Sequence, residues 1–188
     1  VIDRSSKEFS YTGSTFEDAV GEALPFHDAV GRIAINFSEL EAECASAVSF
    51  LLKTSVDRGH LVTSEMSFKA KLGALSSLVR LEYEVENRAF PIPLKTFEDL
   101  MYMCQKSEEL RNKLMHSSWV RDHAKQEVRR RKLSAKRKRG FKYDEEALTA
   151  GQILDIADYI SVTTEYLERF FYTTYSDYSS TLPHVIRT

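Results

Sequence analysis

Cysteine is nearly absent from this sequence: 188 residues contain only Cys44 and Cys104. Both sit in apolar, helix-like patterns, with neither metal-ligand spacing nor a framework for bridges. A reducing cytosol is therefore the expected compartment. Glycine and proline are also scarce, at 7 and 4 residues, which excludes collagen-like and low-complexity chains. No apolar run approaches the roughly 18 residues needed to span a bilayer, so no membrane partner is expected. No secretory signal is recognised, although the chain opens at Val1 and this weighs little. P-loop and dinucleotide glycine patterns are missing, so nothing supports ATP hydrolysis and no cofactor is expected. Ser117 and Ser118 lack a His–Asp pair to activate them. His123 stands seven residues from His116 in a different element, so no metal pair is expected there. His27, His60 and His184 read as isolated surface residues.

Apolar residues make up 43% of the chain and charged residues 29%, an ordinary balance for a folded protein. The length suits one domain with arms. The net charge of −2 conceals an asymmetry. Positions 121–142 hold 11 Lys and Arg against 2 Asp and Glu, while the remainder is acidic. A run of like charge this dense calls for polyanions or solvent, and nucleic acid is the first partner to consider. A plainly solvated face and a nuclear-localisation patch are the competing readings of the run.

Hydrophobic periodicity predicts four long helices. Residues 1–26 form an N-terminal arm with a short amphipathic stretch at 16–24, ended by Pro25. The first long helix runs from Asp28 to Lys53, with Ile33, Phe37, Leu40, Cys44, Val48 and Leu51 on one stripe. Asp57-Arg58-Gly59 reads as a break. Ser64 caps a second helix to Glu84, striped by Phe68, Leu72, Leu75, Leu78, Val79 and Leu81. Pro91 and Pro93 exclude helix. Thr96 caps a third helix that buries Leu100, Met103, Leu110 and Leu114 and ends near His116–Trp119. Thr149-x-x-Gln152 is a capping box. It opens the last helix, whose stripe is Ile153, Ile156, Ile160, Leu167 and Phe170, with fraying after Tyr172. The expected fold is all-α: an antiparallel four-helix bundle over 27–175 with a basic hairpin or loop inserted at 120–143. A tail at 176–188 follows.

The chemistry-bearing residues gather at the end of the third helix. Helical rotation of about 100° per residue sets Glu109, Asn112 and His116 on one stripe, flanked by Arg111. Imidazole can exchange protons near neutral pH, and a guanidinium can stabilise charge developing on phosphorus. Such a set suits RNA cleavage by the 2′-hydroxyl without a metal. The plainer reading is a helix-terminal His116 favoured by the macrodipole, with Arg111 paired to Glu108.

Arg111-Asn112-Lys113-Leu114-Met115-His116 resembles the signature of the HEPN superfamily, an Arg followed after four to six residues by His, often with Asn after the Arg. The resemblance spans about 28–172. It implies an all-α bundle with the motif near the end of the third core helix. It also implies a metal-independent endoribonuclease acting as a homodimer, as in toxin–antitoxin and antiviral systems. Arg111 and His116 would be catalytic and Asn112 supporting. The family often adds a polar or acidic residue from another helix; Glu41 and Glu109 are the candidates here. Inactive members serve as nucleotide-binding or dimerisation modules, the alternative for this chain.

In the nuclease reading the partner is RNA, gripped by Arg129, Arg130, Arg131, Lys132, Lys136, Arg137, Lys138 and Arg139. Phe141 and Tyr143 are placed to stack on bases. A two-fold dimer would supply a second His116. An antitoxin or regulatory protein is a further expected partner. Trp119, the only Trp, reads as a packing residue at the end of the helices.

Overall fold

The computed structural model describes residues 24–84, 93–122, 127–136 and 140–179. The described chain is mainly helical, with a three-stranded antiparallel sheet. In order come α1 (Leu24–Leu51), α2 (Val56–Thr63), α3 (Phe68–Glu84), α4 (Leu94–Met115), β1 (Ser118–Asp122), β2 (Glu127–Lys136), β3 (Gly140–Ala147) and α5 (Ala150–Ser179). The sheet departs from the all-α expectation. It fills the place expected for a hairpin or loop and adds β1 to it. The N-terminal stretch expected at 16–24 lies outside the described residues, except Leu24, which opens α1.

Helix α1 starts earlier than its stripe suggested. Pro25 opens the helix rather than ending one, because first-turn amides have no intrahelical acceptor to lose. It stops at Leu51, and Lys53 takes a left-handed φ of 52° while its amide donates to the Phe50 carbonyl. The predicted stripe is buried throughout: Ile33, Phe37, Leu40, Cys44, Val48 and Leu51 all lie in the core.

Asp57-Arg58-Gly59, expected to break structure, lies inside α2. Ser55 caps this helix by accepting from the Arg58 amide, and Asp57 favours its positive end. Gly59 serves close approach rather than a turn. A Cβ at this position would lie 1.7 Å from Ser49 Oγ, 2.3 Å from Ser49 Cβ and 2.8 Å from Ser49 Cα. In an open helix, Gly→Ala stabilises by roughly 0.5–1 kcal/mol. Here Gly59→Ala is expected to destabilise by about 1–3 kcal/mol, because α2 must move off α1. Thermal melting checks this, and Ser49→Gly in the same chain should recover only part of the loss, because the contact with the residue-49 Cα remains.

Two other caps also move. Ser64 ends α2, donating to the Leu61 carbonyl, while Ser67 caps α3 by accepting from the Ala70 amide. Thr96 is already within α4, which follows directly on Pro93. Leu81 points outward, and Met103, Leu110 and Ile156 are only half-buried. Their places in the core are taken by Phe97, Met101, Cys104 and Ala157. The capping box forms as read: the Gln152 amide donates to Thr149 Oγ1, and the Thr149 amide donates to Gln152 Oε1. Helix α5 continues past Tyr172 to Ser179.

Contacts along the helices give their directions. Phe37 meets Phe68 and Glu41 meets Lys71, so α1 and α3 run the same way, contrary to the antiparallel order expected of the first two long helices, because α2 doubles back between them. Asn36 Nδ2 donates to the Ala157 carbonyl, where α1 meets α5. Helix α4 opposes α5, because Ser107 bonds Thr163 while Phe97 packs on Phe170. The buried Cys44 thiol, beside Cys104, is pushed well above its usual range, first by the hydrogen bond between them and then by burial. The core thus lies between α1, α3, α4 and α5. The end of α4 runs straight into the sheet.

Candidate functional site

Arg111 sits on the inward line of α4 that includes Leu100, Cys104, Ser107 and Leu114, and it is half-buried. A guanidinium there must find partners. Its Cζ lies 5.0 Å from the centroid of the Phe37 ring, and Nη1 donates to Asn112 Oδ1 at 2.8 Å. That bond draws the charged head toward Asn112, one turn before His116. Glu108 does not take this role.

His116 is the C-cap of α4, at φ −101° and ψ 25°. Its backbone amide donates to the Asn112 carbonyl at 3.3 Å. The side chain is exposed, and among the described residues no hydrogen bond or ion pair engages it. Arg111, Asn112 and His116 therefore share one end of one helix, with the guanidinium fixed and the imidazole free.

The two acidic candidates are engaged elsewhere. Glu109 is exposed and accepts from Lys106 Nζ at 3.0 Å, which raises the Lys106 pKa. Glu41 pairs with the buried Lys71 at 3.0 Å. Among the described residues, no group of three or more His, Cys, Asp or Glu is placed to hold a metal ion.

The basic run divides into two parts. Strand β2 pairs with β3 so that Arg130 faces Glu146, Arg131 faces Glu145 and Lys132 faces Asp144. Arg130 is 1% exposed, so it is buried structure rather than a phosphate grip. Its Nη2 meets Asp144 Oδ2 at 2.5 Å and Glu146 Oε2 at 3.1 Å, while Nη1 donates to Ser117 Oγ at 3.1 Å. Ser117 Oγ in turn donates to the Lys113 carbonyl at 2.6 Å, and Lys113 Nζ pairs with Glu146 at 2.7 Å. Lys113 first, and then Arg130, lower the Glu146 pKa. This chain of contacts ties the sheet to the last turn of α4, on both sides of His116 in sequence.

Glu145 gathers the opposite face. It accepts from Arg129 Nη1 at 2.9 Å and from the Tyr143 hydroxyl, and it lies 3.2 Å from Arg131 Nε. The Tyr143 hydrogen bond, followed by that of Arg129, holds its carboxyl down at about 2. Lys132 is exposed, and Lys136 ends β2. Arg137, Lys138 and Arg139 lie outside the described residues, as do His123 and His184. Trp119 is half-buried and packs against the core.

No family model, curated protein or solved structure matches this chain. The site must therefore be read from its own chemistry. Sequence reasoning overlooked Phe37 beneath Arg111, and the carboxylates that neutralise Arg129, Arg130 and Arg131. A signal for the second was present. In the pairing of β2 with β3, 144–146 stand opposite 130–132, so the acids Asp144-Glu145-Glu146 mirror the basic run. Among the described residues, no helix is long and apolar enough to cross a membrane.

Proposed function

We propose that this chain is a metal-independent endoribonuclease with a HEPN-like helical bundle, acting as a homodimer in a toxin or antiviral-defence role. The observation that carries the reading is the end of α4. A half-buried Arg111 is anchored by Phe37 and Asn112, and an unengaged His116 follows one turn later.

The chemistry follows from these groups. The 2′-hydroxyl oxygen attacks the adjacent phosphorus and the bond to the 5′-oxygen breaks. His116 takes the hydroxyl proton or protonates the departing 5′-oxygen, and the partner subunit's His116 performs the other transfer. Arg111 stabilises the charge that accumulates on the phosphoryl oxygens. Asn112 orients the guanidinium through their hydrogen bond.

The test incubates the purified chain with mixed cellular RNA in excess EDTA. Fragments ending in 2′,3′-cyclic phosphate are expected. Intact RNA, or cleavage restored only by Mg²⁺, would sink the proposal.

A further inference from the structure

Strand β3 places Phe141, Tyr143 and Glu145 on one face, because alternate residues of a strand share a side. The register adds Arg131, opposite Glu145, and Arg129, opposite Ala147. The other face is occupied. Trp119 packs into the core there, and Arg130 and Glu146 bond to the end of α4. The face with Phe141 and Tyr143 looks outward, with Phe141 72% exposed and Tyr143 47% exposed.

We infer that this outer face is a base-stacking platform for single-stranded RNA. Both rings stay exposed although the register sets Ala135 opposite Phe141 and Leu133 opposite Tyr143, so the face offers an open apolar strip. The same face also carries charge: among the described residues Arg129 and Arg131 stand there against Glu145, a positive balance. A partner that offers flat apolar rings joined by anionic links matches both properties, and an unpaired nucleic-acid strand has this chemistry. Glu145 fixes Arg129 and Arg131 beside the tyrosine while leaving the face an excess of positive charge. A duplex cannot use the platform in the same way, because its bases are already stacked and paired.

This assignment takes RNA as the ligand from the proposed function and adds that the bases must be unpaired. It also separates two roles. The outer face holds bases, while the end of α4 carries the reacting groups.

The experiment measures binding of the chain to labelled 2′-O-methyl oligonucleotides, which cannot undergo 2′-hydroxyl attack. A mixed-sequence single strand and the corresponding duplex are compared in EDTA. The single strand should bind roughly tenfold or more tightly than the duplex. Phe141→Ala should weaken single-strand binding by roughly tenfold or more, and Phe141→Trp should retain it. Neither change removes a cation, so the salt dependence should keep its slope. Phe141 is exposed, and unchanged thermal melting of both variants serves as the folding control.

Equal binding by the parent and Phe141→Ala would overturn the platform, as would equal binding of duplex and single strand. Loss of anionic-vesicle binding in Phe141→Ala, without any oligonucleotide binding by the parent, would reassign the face to a membrane surface. The nuclease reading is judged separately on unmodified RNA. Cleavage that is indifferent to Phe141 in both kcat and KM sinks the platform alone. Phe141-dependent binding by a chain that cuts nothing sinks the nuclease alone.

Discussion

His116→Ala is expected to reduce RNA cleavage by about two to four orders of magnitude, the usual worth of a positioned acid–base group. The fold should survive. The side chain is exposed and unengaged among the described residues, so its removal takes little more than its favourable place at a helix C-terminus. RNA affinity should also be nearly unchanged, because the basic hairpin and its aromatic face remain. Cleavage rate, melting temperature and binding to an uncleavable oligonucleotide are measured on the same preparation. A variant that cuts as fast as the parent would remove His116 from the chemistry. Arg111 is a harder test of the same mechanism. Its guanidinium lies over Phe37 and bonds Asn112, so truncation disturbs packing as well as chemistry. Arg111→Lys retains the charge but not the planar fork, which makes it the sharper companion to the histidine variant.

Arg130→Ala is expected to cost about 2–3 kcal/mol of stability. Breaking a fully buried ion pair costs roughly 3–5 kcal/mol. The figure is reduced here because the carboxylates left behind are partly open to water, with the Asp144 side chain 53% exposed and that of Glu146 37% exposed. For a chain of this size the melting temperature should fall by roughly 4–12 °C. The functional signature separates this residue from the others in the run. Arg130 is already neutralised by protein oxygens and cannot release counterions from RNA, so the salt slope of binding should not change. The cleavage rate should fall, because Ser117 and Lys113, which hold the end of α4, lose their anchor. Lys132→Ala should behave in the opposite sense. That side chain is exposed, and its loss should reduce the single-strand salt slope by about 0.7 while leaving the melting temperature in place. Salt titrations and melts of the two variants together check the assignment. A reduced slope in Arg130→Ala would return that residue to the phosphate-binding set.

Local physics made much of the helical framework legible. The stripe from Ile33 to Leu51 and the Thr149–Gln152 box depend on residues three or four positions apart, and both form as the pattern implies. The misreadings share a different cause. Gly59 resembles a breaker until Ser49, ten residues away, is found pressed against its Cα. Arg130 resembles a phosphate ligand until Asp144 and Glu146 are brought across the hairpin. A window closing at Lys142 counts every base and stops two residues short of the first of those acids. The candidate site was legible at Arg111, Asn112 and His116 because they are neighbours on one helix. Phe37 was not, because it reaches Arg111 only through the packing of α1 on α4.

The alternation of sign along the hairpin also acts as a key for its alignment. In the observed register, three basic residues of β2 face three acidic residues of β3, and Lys142 faces Ser134. Sliding β3 by two residues keeps every side chain on its own face, so hydrophobic patterning alone would not prevent it. Charge does. A slip in one direction brings Lys142 opposite Lys132, and a slip in the other brings it opposite Lys136. Either slip also forfeits at least one of the three opposite-charge pairs. The acids of β3 therefore act before any ligand arrives, selecting the single alignment in which the aromatic rings and the end of α4 are presented together.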